Sequence, residues 1–174
     1  MDEKKLESAL MALNIAMQTE KDGHEFYLSA AERTSDPQGK ALFTSLAADE
    51  LEHLRLLEDQ KETLTEKQRW LPHSEPGEEA KRTKVERAPI FSREALAQDI
   101  NTYTSELSAL RMALLIEKDA VSFYSKAASE TDDANCKAMY QYLVEMEKGH
   151  QRILEEEYNA LAKQFWGTMG FEPF

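Results

Sequence analysis

Cysteine is almost absent from this chain, since Cys136 is the only one in 174 residues. A single cysteine excludes an internal disulfide, and it also excludes the Cys-x-x-Cys pairs that hold one iron or zinc ion. Glycine and proline are scarce as well, with six and five residues, while 41% of the residues are hydrophobic and 31% are charged. This composition favours long helices over a sheet.

Basic residues are also in deficit, with 21 Lys and Arg against 33 Asp and Glu, a net charge of −12. Nucleic acids and anionic membrane surfaces are both bound through basic surfaces, so we expect neither as a partner. No run of about 18 apolar residues occurs. The first ten residues, MDEKKLESAL, lack an apolar signal core. We therefore expect a cytoplasmic protein without a membrane span.

The chain contains an internal repeat. Residues 20–58 align with 117–155 at a constant offset without a gap, and 17 of the 39 positions are identical. The two strings are EKDGHEFYLSAAERTSDPQGKALFTSLAADELEHLRLLE and EKDAVSFYSKAASETDDANCKAMYQYLVEMEKGHQRILE. Upstream, Leu10 and Leu13 match Leu107 and Leu110. A repeat of this length indicates a duplicated helical hairpin.

Apolar residues recur every three or four positions in each copy, which predicts two long helices per hairpin. The first hairpin is expected over about 3–66, with its turn at TSDPQGK and its second helix starting near Pro37. The second hairpin is expected over about 92–163, with its turn at TDDANCK. Four such helices predict an all-α, single-domain four-helix bundle.

Two segments interrupt the helical pattern. Residues 67–91, KQRWLPHSEPGEEAKRTKVERAPIF, are irregular and contain three of the five prolines. We expect them to form a long crossover along the outside of the bundle. Residues 164–174, QFWGTMGFEPF, are aromatic and interrupted by glycine. We expect this tail to cap one end of the bundle or to form a dimer contact, because its apolar content disfavours a free tail.

Glutamate and histidine occupy helix positions where apolar residues are expected. In ADELEHLRLLE, residues 48–58, Glu50 and His53 continue the 3–4 spacing that begins with Phe43 and leads to Leu57. The repeat preserves this pattern, and it also matches a glutamate on the first helix of each hairpin. The six inward-facing residues are Glu20, Glu50, His53, Glu117, Glu147 and His150. We expect all six to meet at one level of the bundle core.

Four buried carboxylates require compensating positive charge. The neighbouring seam positions hold Leu, Met, Tyr, Val and Phe, with no Lys or Arg among them. Two divalent metal ions would neutralise four carboxylates, and oxygen-rich ligation with two imidazoles suits iron or manganese better than a closed zinc site. We therefore predict a site for two iron ions, with manganese or another divalent transition metal as the alternative.

The sequence also suggests roles for residues near the six ligand candidates. Tyr27 and Tyr124 follow Glu20 and Glu117 by two helical turns, so each is either a catalytic residue that donates a hydrogen bond to a ligand carboxylate or to a bound substrate, or a residue that fills core volume. Asp49 is expected to orient the ring of His150 from the facing helix, whereas its repeat equivalent is Met146.

His24 follows Glu20 by one turn and is replaced by Val121 in the second copy. It is either a seventh ligand or a histidine that is hydrogen-bonded within the core.

Glu, Glu-x-x-His, Glu, Glu-x-x-His on a duplicated four-helix bundle resembles the ferritin-like di-iron carboxylate superfamily. The EKD…FY…A…T spacing is most similar to that of rubrerythrins, over about 8–58 and 105–155. The resemblance implies reduction of hydrogen peroxide or dioxygen at a di-iron centre, in protection against oxidative stress. It also implies that Glu50 and Glu117 bridge the metals, while His53 and His150 each bind one.

The chain departs from that family pattern in two ways. The rubredoxin domain of typical rubrerythrins uses four cysteines, so we expect electrons to come from an external rubredoxin-like donor. Leu114 also stands where rubrerythrins carry an additional glutamate. We further expect a homodimer. The alternatives are a ferroxidase or iron-handling protein, a di-iron enzyme that oxygenates an organic substrate, and a non-catalytic metal-binding scaffold or sensor.

Overall fold

The computed structural model describes residues 2–72 and 100–168, which form four helices. Helix α1 spans Glu3–Arg33, α2 spans Pro37–Lys67, α3 spans Ile100–Glu130 and α4 spans Ala134–Thr168. Helices α1 and α2 pack against each other as one hairpin, α3 and α4 pack as the other, and α1 also contacts α3. The predicted all-α bundle of two hairpins is confirmed.

Equivalent aspartates start the second helix of each hairpin. The side chain of Asp36 accepts hydrogen bonds from the backbone N–H groups of Gln38 and Gly39, both at 2.8 Å. Asp133 accepts from Asn135 and Cys136 at 2.9 and 3.1 Å. Each cap satisfies N–H groups that have no partner within the helix, so the duplicated turns fix where α2 and α4 begin.

The hydrophobic core consists of two clusters with a polar layer between them. Along α1, Leu13 lies in one cluster, buried Glu20 follows, and Tyr27 lies in the other cluster. The order is reversed along α2, where Phe43 belongs to the second cluster and Leu57 to the first. The two clusters therefore seal the glutamate layer from above and below, which positions the site near the middle of the bundle.

Hydrogen bonds anchor the chain just after the end of α2. Gln68 adopts a left-handed conformation with φ 49°, and its N–H donates to the carbonyl of Leu64 at 3.0 Å. The buried side chain of Gln60 then accepts from the N–H of Leu71 at 3.0 Å and donates to its carbonyl at 3.4 Å. These bonds hold Trp70 in the core.

The second hairpin extends further than the sequence predicts. Helix α4 continues through residues 164–168, which we expected to belong to the tail, and Phe165 packs against the core there. The remaining tail, 169–174, and most of the expected crossover, 73–91, lie outside the described residues, as do residues 92–99. The crossover path and the end cap stay predictions.

Candidate metal centre

The six predicted ligand residues come from all four helices and converge in the polar layer. Helix α1 contributes Glu20 and α3 contributes Glu117, while the Glu-x-x-His pairs of α2 and α4 contribute the other four. Each residue is at most 4% exposed. Because i and i+3 lie on one helical face, each Glu-x-x-His pair directs both side chains into the same layer.

One donor group consists of Glu20, Glu50, His53 and Glu147, whose candidate ligand atoms all lie within 4.8 Å of one another. The Nδ1 atom of His53 lies 3.2 Å from Oε2 of Glu20 and 3.1 Å from Oε1 of Glu147. Its distance to Oε2 of Glu50 is 3.6 Å. One imidazole nitrogen therefore faces carboxylates from three helices.

The second donor group consists of Glu50, Glu117, Glu147 and His150, again within 4.8 Å. The Nδ1 atom of His150 lies 2.9 Å from Oε2 of Glu147 and 3.5 Å from Oε1 of Glu117. The rings of His53 and His150 stack with centroids 5.6 Å apart. The two groups are adjacent and share Glu50 and Glu147, as expected of a site for two cations.

Two buried tyrosines cross between the hairpins to reach this layer. Tyr27 on α1 donates a hydrogen bond to Glu117 on α3, and Tyr124 on α3 donates to Glu20 on α1. Each tyrosine lies about 10 Å along its helix from the glutamate of that helix. Both contacts can form together because α1 and α3 are antiparallel at this level, so each hairpin orients a carboxylate of the other.

Burial controls the protonation of Glu20 and Glu117, the two carboxyls that each belong to only one donor group. It raises the pKa of Glu20 from 4.5 to about 8, against the opposing effect of His53. Burial also raises the pKa of Glu117 to about 8, and the neighbouring charge of Glu147 adds to the shift. At neutral pH the metal-free protein therefore keeps protons on these two carboxyls.

The shared glutamate and the imidazoles behave in the opposite way. Burial disfavours a charge on Glu147, but His53 and His150 hold its pKa well below 4.5. Burial also disfavours charged imidazoles, yet the carboxylates raise the pKa of both histidines well above 6.5. In the metal-free protein, bound protons thus supply the positive charge that the buried carboxylates require.

Among the residues that the structure describes, lysine and arginine do not supply that positive charge. Within residues 2–72 and 100–168, the lysine ion pairs lie at the surface, and none involves the four buried carboxylates. The Oε1 atom of Glu147 is buried and forms no hydrogen bond within the described residues, although Nδ1 of His53 lies 3.1 Å away. A donor set of four carboxylates and two imidazoles, partly unsatisfied and held together by protons, fits two divalent metal ions.

Asp49 and His24 both lie near the six ligand candidates, but the structure gives them different surroundings. Asp49 lies beside His150, with Oδ2 3.4 Å from Nε2, which agrees with its expected position. The Nδ1 atom of His24 instead lies 2.6 Å from the carbonyl oxygen of Ala47, and His24 belongs to neither donor group. The core-bonded alternative therefore describes His24, and the structure does not support a seventh ligand.

Sequence reasoning missed Gly23, which is buried on α1 beside Glu50. A Cβ atom at this position would lie 3.5 Å from Cγ and Cδ of Glu50, an ordinary contact distance. The repeat places Ala120 at the equivalent position. That difference between the copies is the signal that could have identified the position, although nothing local indicates that it faces Glu50.

A family comparison agrees with this geometry. The rubrerythrin family model matches residues 11–158, well over half of the chain. The chain belongs to the rubrerythrin family. Comparisons with curated proteins and with solved structures gave no match. Among the described helices of this rubrerythrin-family chain, none has an apolar stretch long enough to cross a membrane.

The geometry favours a different pair of shared carboxylates from the pair that the family resemblance implies. Glu50 and Glu117 were expected to be common to both metals, but the carboxylates common to both donor groups are Glu50 and Glu147. Glu117 belongs only to the group of His150, as Glu20 belongs only to the group of His53. The reason is the pseudo-two-fold arrangement of the hairpins, which makes Glu50 and Glu147 equivalent in this rubrerythrin-family site.

Proposed function

We propose that this rubrerythrin-family chain is a dinuclear metal oxidoreductase that reduces hydrogen peroxide, or dioxygen, with electrons from an external donor. The observation that carries the proposal is the pair of buried donor groups that share Glu50 and Glu147. A single-metal site would not need two imidazoles and four carboxylates around two shared side chains.

The proposed ligands divide equally between two ions. Glu20 and His53 would hold one ion, Glu117 and His150 would hold the other, and Glu50 and Glu147 would serve both. We propose iron in both positions, with manganese or another divalent transition metal as the alternative. When bound, a pair of redox-active ions supplies the two electrons that convert one hydrogen peroxide and two protons into two waters.

The surrounding side chains would control protons and water. Tyr27 and Tyr124 keep their protons on Oη, because burial and the adjacent carboxylates raise the pKa of both hydroxyls well above 10. Each hydroxyl donates its one proton to a glutamate, and this hydrogen bond orients that carboxylate. The two core clusters exclude bulk water from above and below, which strengthens the electrostatic interactions within the layer.

The electron donor would be a separate protein. The 174 residues contain one cysteine, and rubredoxin-type iron sites require four. We therefore propose an external rubredoxin-like donor.

A homodimer is also proposed, because Met11 and Ile15 on α1 and Met112 and Leu115 on α3 are at least half exposed. Light scattering at micromolar concentration tests the dimer, and a monomeric mass would contradict it.

The reaction is tested by rapid mixing. Metal-loaded, chemically reduced protein is mixed anaerobically with hydrogen peroxide, and separately with dioxygen, while the absorbance of the oxidised centre is followed. We expect faster reoxidation with peroxide. Glu147→Gln should remove the reaction, whereas Glu145→Gln is the matched control, because Glu145 pairs with Lys148 at the surface two residues away.

The other outcomes would either contradict peroxide reduction or support an alternative function. Equal or slower reoxidation with peroxide than with dioxygen would contradict peroxide reduction. Turnover of ferrous ion by a large, hollow assembly would support the ferroxidase alternative. Full metal binding without turnover by either oxidant would support a scaffold or sensor.

A further inference from the structure

The internal duplication allows a controlled comparison of the two halves of the proposed centre. Each half has its own glutamate and imidazole, and in each half a tyrosine from the other hairpin binds the glutamate. The two shared carboxylates, Glu50 and Glu147, are equivalent as well. The residue before the shared glutamate differs, since it is Asp49 in the first copy and Met146 in the second.

Asp49 gives His150 a partner on the side away from the donor group. Its Oδ2 atom lies 3.4 Å from Nε2 of His150, within ion-pair distance, and both buried atoms lack a hydrogen bond within the described residues. A metal at Nδ1 would leave the imidazole proton on Nε2, the nitrogen that lies beside this carboxylate. Such an acceptor fixes the ring, raises its basicity and adds negative charge near the ion.

His53 has no such partner. Its Nε2 atom is buried and lacks a hydrogen bond, as Nε2 of His150 does, but the ion-pair contacts of His53 in the described part of the chain run through Nδ1 and none runs through Nε2. The position equivalent to Asp49 holds Met146, whose thioether is only a weak acceptor. A metal at Nδ1 of His53 would therefore leave a buried N–H group unpaired, which weakens binding in that half.

We propose that the two metal positions are inequivalent, and that the position of Glu117 and His150 fills first and holds its ion more tightly. The position of Glu20 and His53 is then the exchangeable one. Asp49 acts as a positioning residue, and an acceptor of this kind changes metal affinity about 10- to 100-fold. This inference rests on the proposed function, because it requires a site for two ions.

The order of filling is measured with Zn²⁺ as a diamagnetic probe. Metal-free protein with ¹⁵N-labelled histidine is titrated, and the ring nitrogens are followed by NMR. Only four histidines contribute signals. We expect the signals of His150 to move with the first equivalent and those of His53 with the second. His24 serves as an internal reference, because its Nδ1 atom faces a backbone carbonyl outside the donor groups.

Exchanging the two distinguishing residues provides the decisive variants. Asp49→Met should weaken the first binding step about 10- to 100-fold, and Met146→Asp should strengthen binding at His53. The double exchange, Asp49→Met with Met146→Asp, should make His53 respond first. A purely structural role of Asp49 would not reverse the order. Asp49→Asn, which keeps the shape and removes the charge, replaces Asp49→Met if that variant does not fold.

The outcomes separate this inference from the proposed function. Simultaneous movement of the His53 and His150 signals, or an unchanged order in the double exchange, would overturn the inequivalence and leave a two-metal site intact. Absence of any response from both histidines at two equivalents of Zn²⁺ would overturn the metal site itself, and both proposals with it.

Discussion

The metal-free protein should lose stability as the pH rises from about 6 to about 7.5. Glu20 and Glu117 have a folded-state pKa of about 8, whereas the ordinary carboxyl value is 4.5. A carboxyl whose pKa is raised in the folded state contributes its full stabilisation below the unfolded-state pKa, where the carboxyl is protonated in both states. That contribution is lost as the pH approaches the folded-state pKa.

The size of the effect follows from proton counting. Between about pH 5.5 and 7.5 the folded state holds two carboxyl protons that the unfolded state has released. Each proton is worth about 1.4 kcal/mol per pH unit, so these two carboxyls alone should lower the free energy of unfolding by about 4 kcal/mol from pH 6 to 7.5. This is a large part of the 5–15 kcal/mol that typically stabilises a domain.

The other ionisable groups of the layer do not cancel this trend. The pKa values of His53 and His150 are raised above 6.5, so their contribution is also lost as the pH rises. The pKa of Glu147 is lowered, so its contribution disappears only on acidification below about pH 4.5. Between pH 6 and 7.5 the raised groups therefore determine the sign.

Urea unfolding followed by far-UV circular dichroism tests this prediction on chelator-treated protein at both pH values. The double variant Glu20→Gln with Glu117→Gln should remove the part of the pH dependence that comes from these two carboxyls, about 4 kcal/mol, since glutamine does not titrate. Glu25→Gln on the exposed face of α1 is the matched control and should keep it. Metal-free protein that is equally or more stable at pH 7.5 would refute the reasoning that the buried carboxyls need cations.

Three further predictions concern the same layer. Gly23→Ala should stabilise the protein by about 0.5–1 kcal/mol, because alanine is the better helix former and its Cβ meets Glu50 at an ordinary 3.5 Å; thermal melts that show destabilisation would contradict this. Tyr124→Phe should cost about 1–3 kcal/mol in urea unfolding by removing the hydrogen bond to Glu20, and an unchanged midpoint would argue against that bond. Binding of two metal ions near pH 7 should release about four protons, from two carboxyls and two imidazoles, measured by calorimetry in buffers of different ionisation enthalpy; affinity should therefore rise with pH up to about 8.

Local information was sufficient for the helices and for the identity of the ligand candidates. Helical periodicity is a property of neighbouring residues, so the spacing of Glu50 and His53 among apolar residues already places both side chains on the inner face. The caps at Asp36 and Asp133 are likewise local hydrogen bonds within one turn. The duplication then doubled every such signal, which is why six residues could be named together.

Contacts between the hairpins were decided only by the tertiary structure. Periodicity fixes the face of a helix, but not its direction or its height relative to a helix from the other hairpin, which depend on packing across the core. The crossed bonds of Tyr27 and Tyr124 could therefore not be read from the chain. The same holds for the carbonyl that binds His24. The sequence determined which groups enter the layer, and long-range packing decided which of them meet.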